Sequence, residues 1–426
     1  FDFDTVTNLQ KSFSQTYLRL FGFKPVSKKL VIESVFVEAV GGTDVNMKNN
    51  KISKEFTRLK PVIANKKVFI DGEWNDCQFF PIENLSKNSI VNGPAVLVGS
   101  QTSILLKRGW EGTLLESGTI KLKRVNIFLP QKHTESAQIE VFNNLFMSIA
   151  EQMGFVLEKT AQSITIKERL DFSCAIFDRD GELVANAPHM PVHLGSMDST
   201  VKSIIKNNST LSPGDLFAIN APYNGGTHLP DITIVNPIWN SKKSEIIFFT
   251  AARGHHTDIG GLTPGSMPCN STDIHEEGIY IDNWKIVDNG VFKEDEIKNK
   301  LLSGSYPARS PLTNIADLKA QIAACKKGET ELLKIVDKYG LETVFRFQEL
   351  VCQNAENAVR ESIKTIKTTE FAYQMDDDLS GAPRKINIKL TPNKKDSSIE
   401  VDFNGTTMQL ESNYNAPLPV TRAAVL

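Results

Sequence analysis

Two short polar clusters in this 426-residue sequence hold the side chains best suited to chemistry. His228 and Asp231 stand close together in the first cluster, and Arg253, His255 and His256 form the second. The sequence contains seven histidines, and these clusters hold three of them. Imidazole nitrogens and a carboxylate form a mixed donor set that suits Zn²⁺, Mn²⁺ or Fe²⁺. Three such ligands leave a coordination position for water or substrate, as in catalytic metal sites.

The residues between the two clusters predict a β-hairpin. Apolar and β-branched residues run through 232–239 and again through 245–252, and the polar linker at 240–244 has the composition of a turn. A hairpin pairs its strands in antiparallel fashion, so it joins the ends at which the clusters lie. We therefore expect a turn near Lys242 to bring both clusters to one edge of a sheet.

Pairing about this turn predicts Asp231 opposite Arg253, and His228 opposite His256. Directly opposed residues have Cβ atoms roughly 4.5–5.5 Å apart, which is close enough to share a metal ion. Regular strand alternation would put Asp231 and His255 on one face, with His228 and His256 on the other. A proline and a glycine beside these residues disturb regular geometry, so the choice between His255 and His256 stays open. A hydrogen-bonded pair without a metal is the alternative interpretation.

Further candidates lie outside the hairpin. His189 and His193 would share one face of a helix, but two neighbouring prolines argue against a helix there, and structural histidines are the alternative. Arg309 and Arg422 stand in otherwise uncharged loops, where a guanidinium can clamp a carboxylate or a phosphate through two hydrogen bonds. The charged run 167–171 can orient an anionic substrate or form a solvated face.

Composition narrows the class of protein. A chain of this length predicts two or three domains, and 40% hydrophobic with 23% charged residues is typical of a soluble globular protein. The net charge of −2 argues against nucleic-acid binding, and no apolar run approaches the roughly 20 residues that span a bilayer. Five scattered cysteines without a CxxC pair, and the lack of a signal peptide, predict a reduced, cytoplasmic protein.

The pattern of elements predicts an α+β (mixed α/β) fold in two parts. Residues 1–130 form a small β-rich module and residues 136–426 a larger mixed domain, with a polar linker at 130–136. Strand signals in the first part lie at 30–37, 67–70, 95–98 and 102–106. In the second part we expect a helix over 139–156, strands at 172–177 and 182–185, and a helix ending at 200–206. Two helices follow, at 315–327 and at 329–367, and the longer one is interrupted near Gly340. Strands are expected from 386 to the end.

Several sequence blocks resemble the hydantoinase B/oxoprolinase family. They lie at 147–154, 167–175, 186–195, 226–231, 253–256 and 264–268, and the similarity extends from about Ser136 to the end. The part before Pro130, with segments 17–23 and 93–95, is similar to the C-terminal end of a hydantoinase A subunit. This order resembles a fragment of the fused, ATP-dependent 5-oxoprolinases of the family, without the ATPase domains and with a B part that stops early.

The resemblance implies a two-step hydrolysis. The A part of such proteins is an actin-like ATPase that phosphorylates the lactam oxygen of 5-oxoproline, and the B part opens the activated ring with a metal-bound water to give L-glutamate. Related proteins hold the metal through a His-x-x-Asp pair and a later histidine, which implies His228, Asp231 and His255 as ligands, with His256 as the alternate. These four residues are the catalytic candidates. The substrate-binding candidates are His189, His193, Arg253, Arg309 and Arg422.

The resemblance also implies what the chain needs from outside. ATP and Mg²⁺ would bind a domain absent from this chain, so a hydantoinase A-like ATPase domain or subunit is the expected partner. A lactam of glutathione metabolism is the expected substrate, and an oligomer is the expected assembly. Two alternatives stay open. One is an N-methylhydantoinase or acetone-carboxylase-like subunit of the same family, and the other is a non-catalytic remnant or assembly subunit of a split gene.

Overall fold

The computed structural model describes residues 6–21, 30–32, 34, 64–125, 135–376 and 384–426. Two compact units divide the chain: Val31–Ser136 form one, and Phe1–Leu30 with Ala137–Leu426 form the other. Residues 130–134 of the predicted linker lie outside the described residues. Part of the predicted strand at 30–37 also lies outside them. The assignment of 1–130 and 136–426 as separate domains therefore stays a prediction.

The smaller unit is built from strands, as its apolar runs and turn glycines predict. The strands are β1 (Ala64–Ile70), β2 (Glu73–Pro81), β3 (Ile90–Asn92), β4 (Ala95–Val98), β5 (Ser103–Leu106), β6 (Trp110–Leu114) and β7 (Ile120–Arg124). Among the described residues they form a four-stranded sheet, ordered β1-β2-β4-β5, and a three-stranded sheet, ordered β3-β6-β7. Phe80, Leu97 and Leu106 are buried in its core. Strands β1, β4 and β5 confirm three of the strand predictions.

A helix precedes these strands in the chain and belongs to the larger unit: α1 (Val6–Phe21). The strand-rich interpretation of the first residues predicts no helix here. Phe13 and Tyr17 stand one helical turn apart, and their ring centroids are 5.7 Å from each other. That four-residue spacing is the helical signal in this segment.

The larger unit combines a wide sheet with helices, which confirms the α+β (mixed α/β) fold class. Its further helices are α2 (Glu135–Thr160), α3 (Ile164–Lys167), α4 (Pro191–Asn207), α5 (Glu294–Leu301), α6 (Pro311–Tyr339), α7 (Leu341–Ile363) and α8 (Leu418–Val425). Its strands are β8 (Phe172–Asp178), β9 (Leu183–Asn186), β10 (Leu216–Ile219), β11 (Asp231–Trp239), β12 (Ile246–His255), β13 (Trp284–Asp288), β14 (Val291–Phe292), β15 (Thr369–Met375), β16 (Arg384–Asn393) and β17 (Ser398–Asp402). In the part of the chain that the structure describes, seven antiparallel strands form one sheet, ordered β14-β13-β10-β11-β12-β8-β9, and three form another, ordered β15-β16-β17.

The wide sheet is buried on both faces, because successive side chains of its central strands enter two different apolar clusters. On β8, Cys174 and Ile176 pack with residues of α2, α6 and α7, whereas Ala175 and Phe177 pack with residues of α4. Such double cover requires strands that are apolar at every position rather than at alternate ones. A one-residue slip of the central hairpin would exchange its side chains between the two packed faces.

The sequence predicts that one helix ends at residue 327 and another begins at 329. Helix α6 runs without interruption through these residues, so that prediction is wrong. Gly328 lies inside the helix, and a Cβ at this position would stand 2.5 Å from Met153 Sδ and 2.8 Å from Thr250 Cγ2. The glycine serves close packing of α6 on α2 and β12, not helix termination. The predicted interruption at Gly340 is confirmed, and the φ of 82° at this residue separates α6 from α7.

The prediction that the prolines exclude a helix is correct for His189, which lies before α4, but wrong for His193. Pro191 occupies the first position of α4, where a missing N–H is tolerated, so the helix begins just before His193. The last residues form α8 instead of a strand, and α8 packs closely on α4: a Cβ at Gly195 would lie 2.4 Å from Ala423 Cα. Within the described ranges, none of the helices has both the length and the apolar character needed to cross a bilayer.

The central hairpin of β11 and β12 is confirmed, but its register differs from the predicted one by two residues. Asp231 pairs with His255 rather than with Arg253. The connecting loop extends to Glu245, one residue further than predicted, and a bulge next to Trp239 shifts the pairing again. Turn length and a bulge together account for the difference, and neither is encoded in the apolar pattern of the strands.

Candidate metal centre

Asp231, the first residue of β11, lies at the centre of the candidate site, and its side chain is 1% exposed. Its Oδ2 accepts a hydrogen bond from Thr227 Oγ1, and it lies 3.2 Å from His193 Nε2 and 3.1 Å from His228 Nε2. Its Oδ1 lies 3.0 Å from His255 Nδ1. Three imidazoles therefore converge on one buried carboxylate.

Four segments of the larger unit supply these side chains. Asp231 and His255 are cross-strand partners where β11 begins and β12 ends. His228 lies in the loop that enters β11, and His193 lies in the first turn of α4. His228, Asp231 and His255 all belong to the central hairpin and the loop that enters it, whereas His193 comes from α4, so the full cluster depends on the packing of α4 against the sheet.

Two glycines let the loop before β11 approach its neighbours closely. Gly225 has a φ of 97°, and a Cβ there would stand 2.3 Å from the backbone nitrogen of Thr200. A Cβ at Gly226 would stand 2.3 Å from the carbonyl oxygen of Asn220. Any other residue would push the loop away from α4 and β10, and His228 would move with it.

The cluster opens to solvent on one side. The His228 side chain is 37% exposed, whereas the side chains of His255 and His193 are 12% and 2% exposed. A small molecule would therefore reach the site past His228. His193 is enclosed, and Ser173 Oγ lies 3.3 Å from its Nδ1.

Asp171 is a site residue that the sequence did not single out, beyond its place in the charged run 167–171. It stands directly before β8, and its carbonyl oxygen accepts the N–H of His255 at 3.0 Å. Its carboxylate lies 3.8 Å from His255 Nδ1 and 3.9 Å from His193 Nε2. The pairing of β8 with β12 creates this proximity, and such long-range pairing has no local sequence signal.

Electrostatics keeps Asp231 ionised. Burial by itself would raise the pKa of Asp231, but hydrogen bonds from His193, His228 and His255 hold it well below its usual range. Burial would likewise lower the pKa of His228, yet the hydrogen bond and charge of Asp231, with the charge of Asp171, raise that pKa above its usual value. The site thus holds a persistent buried anion beside imidazoles, an arrangement suited to a divalent cation.

The donor set suits a single divalent cation. One ligand atom from each of His228, Asp231 and His255 lies within 4.8 Å of the others. His228 Nε2 lies nearest Oδ2 of Asp231 and His255 Nδ1 nearest Oδ1, so both oxygens of the carboxylate face an imidazole donor. His193 and Asp171 are additional candidate donors.

The structure does not bring His256, the alternate ligand, to the cluster. Its side chain is fully buried toward α6, where Nε2 lies 3.1 Å from Gln321 Oε1 and Nδ1 lies 3.2 Å from Asn314 Nδ2. An amide nitrogen donates, so Nδ1 accepts and the ring proton sits on Nε2. Burial lowers the pKa of His256. Strand alternation therefore puts His255 in the cluster and His256 in the packing of α6.

Two of the substrate-binding candidates, Arg253 and His189, form hydrogen bonds with other residues of the protein. Arg253 is fully buried, and all the hydrogen bonds found for its guanidinium go to uncharged oxygens. His189 Nδ1 accepts the backbone N–H of Cys174 at 3.1 Å, and the His189 ring packs against Phe172. Their roles toward a substrate stay predictions.

The two arginines that were predicted to lie in loops both make ion pairs within the fold, and Arg422 lies in α8 rather than in a loop. Arg309 donates to Asp258 Oδ2 at 2.7 Å and to the carbonyl oxygen of Gly261 at 2.8 Å. Arg422 of α8 donates to Asp198 Oδ2 at 2.9 Å. Neither guanidinium contacts the three imidazoles, and a substrate-binding role for either one stays a prediction.

Comparison with known proteins identifies the family and the fold. Residues 135–426 match the sequence model of the family described as Hydantoinase B/oxoprolinase. Because the match spans more than half of the chain, the chain belongs to the hydantoinase B/oxoprolinase family. The resemblance of its sequence blocks is thereby confirmed.

Two curated relatives match along the whole chain. The 5-oxoprolinase 1 of Arabidopsis thaliana is 37% identical over 457 residues, which covers 100% of this chain and 35% of the relative. The 5-oxoprolinase of Saccharomyces cerevisiae is 35% identical over 453 residues, again covering 100% of this chain and 35% of the relative. The chain thus spans about a third of the length of these relatives.

A solved structure shares the fold. The ATP-dependent caprolactamase from Pseudomonas jessenii superposes with a TM-score of 0.62 at 23% sequence identity, over 69% of this chain and 50% of that chain. At this identity, the similarity establishes the fold alone.

Proposed function

We propose that this chain provides the hydrolytic site of an ATP-dependent cyclic amide hydrolase of the 5-oxoprolinase type. The proposed substrate is 5-oxo-L-proline, phosphorylated on its lactam oxygen by a hydantoinase A-like ATPase domain or subunit, and the product is L-glutamate. In this proposal the protein is cytoplasmic and serves glutathione metabolism. The relatives named 5-oxoprolinase, which match over the whole length of the chain, support the choice of substrate.

The convergence of imidazoles on Asp231 is the observation that carries the proposal. His228, Asp231 and His255 would hold a divalent cation such as Zn²⁺, Mn²⁺ or Fe²⁺. Such an ion supplies Lewis-acid polarisation and makes a nearby water more acidic. A closed structural site has four protein ligands and no access, whereas the 37% exposure of the His228 side chain leaves a way in for substrate.

Neighbouring side chains orient Asp231 and accept a proton during the reaction. Thr227 and His193 both engage Oδ2 of Asp231 and thereby fix the orientation of its carboxylate. Asp171, whose side chain is 29% exposed, is assigned as the acceptor of the proton of the attacking water. The oxygen of one water bonds to the carbon that bears the phosphorylated oxygen, the ring C–N bond breaks, and the ring nitrogen takes up a proton, which leaves an acyl phosphate on the opened chain. A second water then hydrolyses this acyl phosphate to inorganic phosphate and the side-chain carboxylate of L-glutamate. ATP and Mg²⁺ are assigned to the ATPase partner.

The test is reconstitution with the ATPase in trans. The purified chain is mixed with a hydantoinase A-type ATPase, 5-oxo-L-proline, ATP, Mg²⁺ and Mn²⁺, and L-glutamate is measured by chromatography. We expect glutamate only when both proteins are present. Asp231→Asn should lower the rate about 100-fold or more, because several kcal/mol of transition-state stabilisation are lost.

The matched control is Asp288→Asn on β13, a carboxylate that pairs with lysines away from the cluster. Its rate should equal that of the unsubstituted chain. Glutamate formation without the chain, or an unchanged rate in Asp231→Asn, would overturn the proposal. Turnover of an N-methylhydantoin or carboxylation of acetone in place of 5-oxoproline hydrolysis would identify one of the alternative activities of the family.

A further inference from the structure

Arg253 carries a fully buried charge whose hydrogen-bond partners are all uncharged. Its Nε donates to Thr233 Oγ1 at 2.7 Å, and its Nη1 donates to Ser196 Oγ at 2.5 Å. Its Nη2 donates to Thr200 Oγ1 at 2.8 Å and to the carbonyl oxygen of Gly225 at 2.9 Å. A buried charge is costly unless it is paired or well hydrogen-bonded, and these four bonds, together with the charges of Asp231 and Asp198, offset that cost.

The four bonds join Arg253 to the segments that carry the donors of the cluster. Thr233 follows Asp231 by two residues on β11, and Arg253 itself precedes His255 by two residues on β12, so each shares a sheet face with a donor of the cluster. Ser196 and Thr200 stand on α4, the helix whose first turn carries His193.

The remaining bond reaches the loop that carries His228. The carbonyl oxygen of Gly225 accepts from Arg253 Nη2 and also from Thr200 Oγ1 at 2.8 Å. Gly225 already lies against the backbone of Thr200, where no Cβ would fit. One planar guanidinium is thus bonded to all the other segments that deliver side chains to Asp231.

We propose that Arg253 is the positioning residue of the centre and fixes the placement of Asp231, His193, His228 and His255 relative to one another. The guanidinium has five donors in a rigid plane, a geometry that lysine cannot reproduce. The inference rests on the proposed function because it uses a divalent cation as the probe. It assigns Arg253 a role different from the substrate binding that the sequence suggests, because the side chain of Arg253 is fully buried.

The experiment compares Mn²⁺ binding, measured by electron paramagnetic resonance, in the unsubstituted chain, Arg253→Lys and Arg253→Met. We expect the dissociation constant to rise about 10–100-fold in Arg253→Met, the usual effect of removing a group that orients metal ligands, and less in Arg253→Lys. The matched control is Arg384→Met, which removes another buried arginine, on β16, and should leave the constant unchanged within about twofold. Equal Mn²⁺ affinity in a folded Arg253→Met protein would overturn the inference.

Two further measurements keep the inference testable. If Arg253→Met does not fold, Thr233→Val and Thr200→Val each remove one acceptor, and their combined loss of affinity should exceed either single loss. If the unsubstituted chain binds no Mn²⁺, the proposed function fails, and the inference is judged on the metal-free protein by ¹⁵N spectra of its histidine rings. Shifted signals of His193, His228 and His255 in Arg253→Lys would then support it, and unshifted signals would overturn it.

Discussion

His193 and Asp231 are in direct contact, with 3.2 Å between Nε2 and Oδ2, although one stands in a helix and the other begins a strand. Their side chains are 2% and 1% exposed. The contact ties α4 to the central hairpin where the donor side chains converge. The helix is therefore part of the site and not only a cover of the sheet.

Replacement of His193 by phenylalanine tests this contact, because it retains a ring but removes both ring nitrogens. We expect the dissociation constant for Mn²⁺ to rise at least about 10-fold, since Asp231 loses one of the groups that orient it. The free energy of unfolding should fall by about 1–3 kcal/mol, because Asp231 and Ser173 lose a hydrogen-bond partner. Calorimetric titration and urea unfolding measure the two effects, with His275→Phe, at an exposed histidine, as the control. Unchanged Mn²⁺ affinity would show that the contact is irrelevant to the centre.

Asp171→Asn should separate binding from turnover. Its carboxylate lies 3.8 and 3.9 Å from the nearest imidazole nitrogens, further away than that of Asp231. We therefore expect a smaller loss of Mn²⁺ affinity than in Asp231→Asn, together with a fall in kcat of about 100-fold or more, as for removal of a general base. Parallel titration and glutamate assays provide both values. A variant with full kcat would exclude Asp171 as the proton acceptor.

His256→Ala should affect stability more than metal binding. The substitution removes the partner of Gln321 Oε1 and of Asn314 Nδ2 in a fully buried network. Each buried group left without a partner costs about 1–3 kcal/mol, and urea unfolding should show that loss. Mn²⁺ affinity should change less than about threefold, because the ring does not face Asp231. A large loss of affinity at unchanged stability would return His256 to the set of ligands.

His189 predicts a pH dependence of stability. Burial, with a smaller effect of His193, lowers the pKa of His189 to about 4, whereas an unfolded histidine has a pKa of about 6.5. Between these values the unfolded chain binds a proton that the folded chain does not, so stability falls as the pH falls from about 6.5 to about 4. His189→Asn retains an acceptor for the N–H of Cys174 but cannot titrate. Its unfolding free energy, measured by urea at several pH values, should fall less steeply over this window; identical slopes would contradict the prediction.

The sequence was informative where its signals are local. The apolar stripe of α2, the hairpin of β11 and β12, and the helix break at Gly340 all follow from periodicity or from a turn residue. Gly328 shows where this approach fails, because a glycine needed for packing against Met153 and Thr250 has the same sequence signal as a helix end. Only the three-dimensional neighbours of the residue distinguish the two cases.

Some residues of the candidate site have a local sequence signal, and others do not. His228, Asp231 and His255 could be proposed from a hairpin and two short clusters, although the register differed by two residues. The sequence predicts substrate binding or a structural role for His193 and does not indicate its contact with Asp231, because the neighbouring prolines obscure the start of α4. Asp171 had no local signal, since it meets His255 only through the pairing of β8 with β12.

The most direct test of the centre is equilibrium binding of Mn²⁺ and Zn²⁺ to the purified, metal-stripped chain and to Asp231→Asn. Atomic emission after gel filtration gives the number of ions per chain, and titration gives the dissociation constants. The proposal predicts one ion bound per unsubstituted chain, with affinity lowered about 100-fold or more in Asp231→Asn, because the variant loses a ligand and not merely a group that orients one. Equal affinity in the two proteins, or no ion bound by either, would contradict a metal centre at His228, Asp231 and His255.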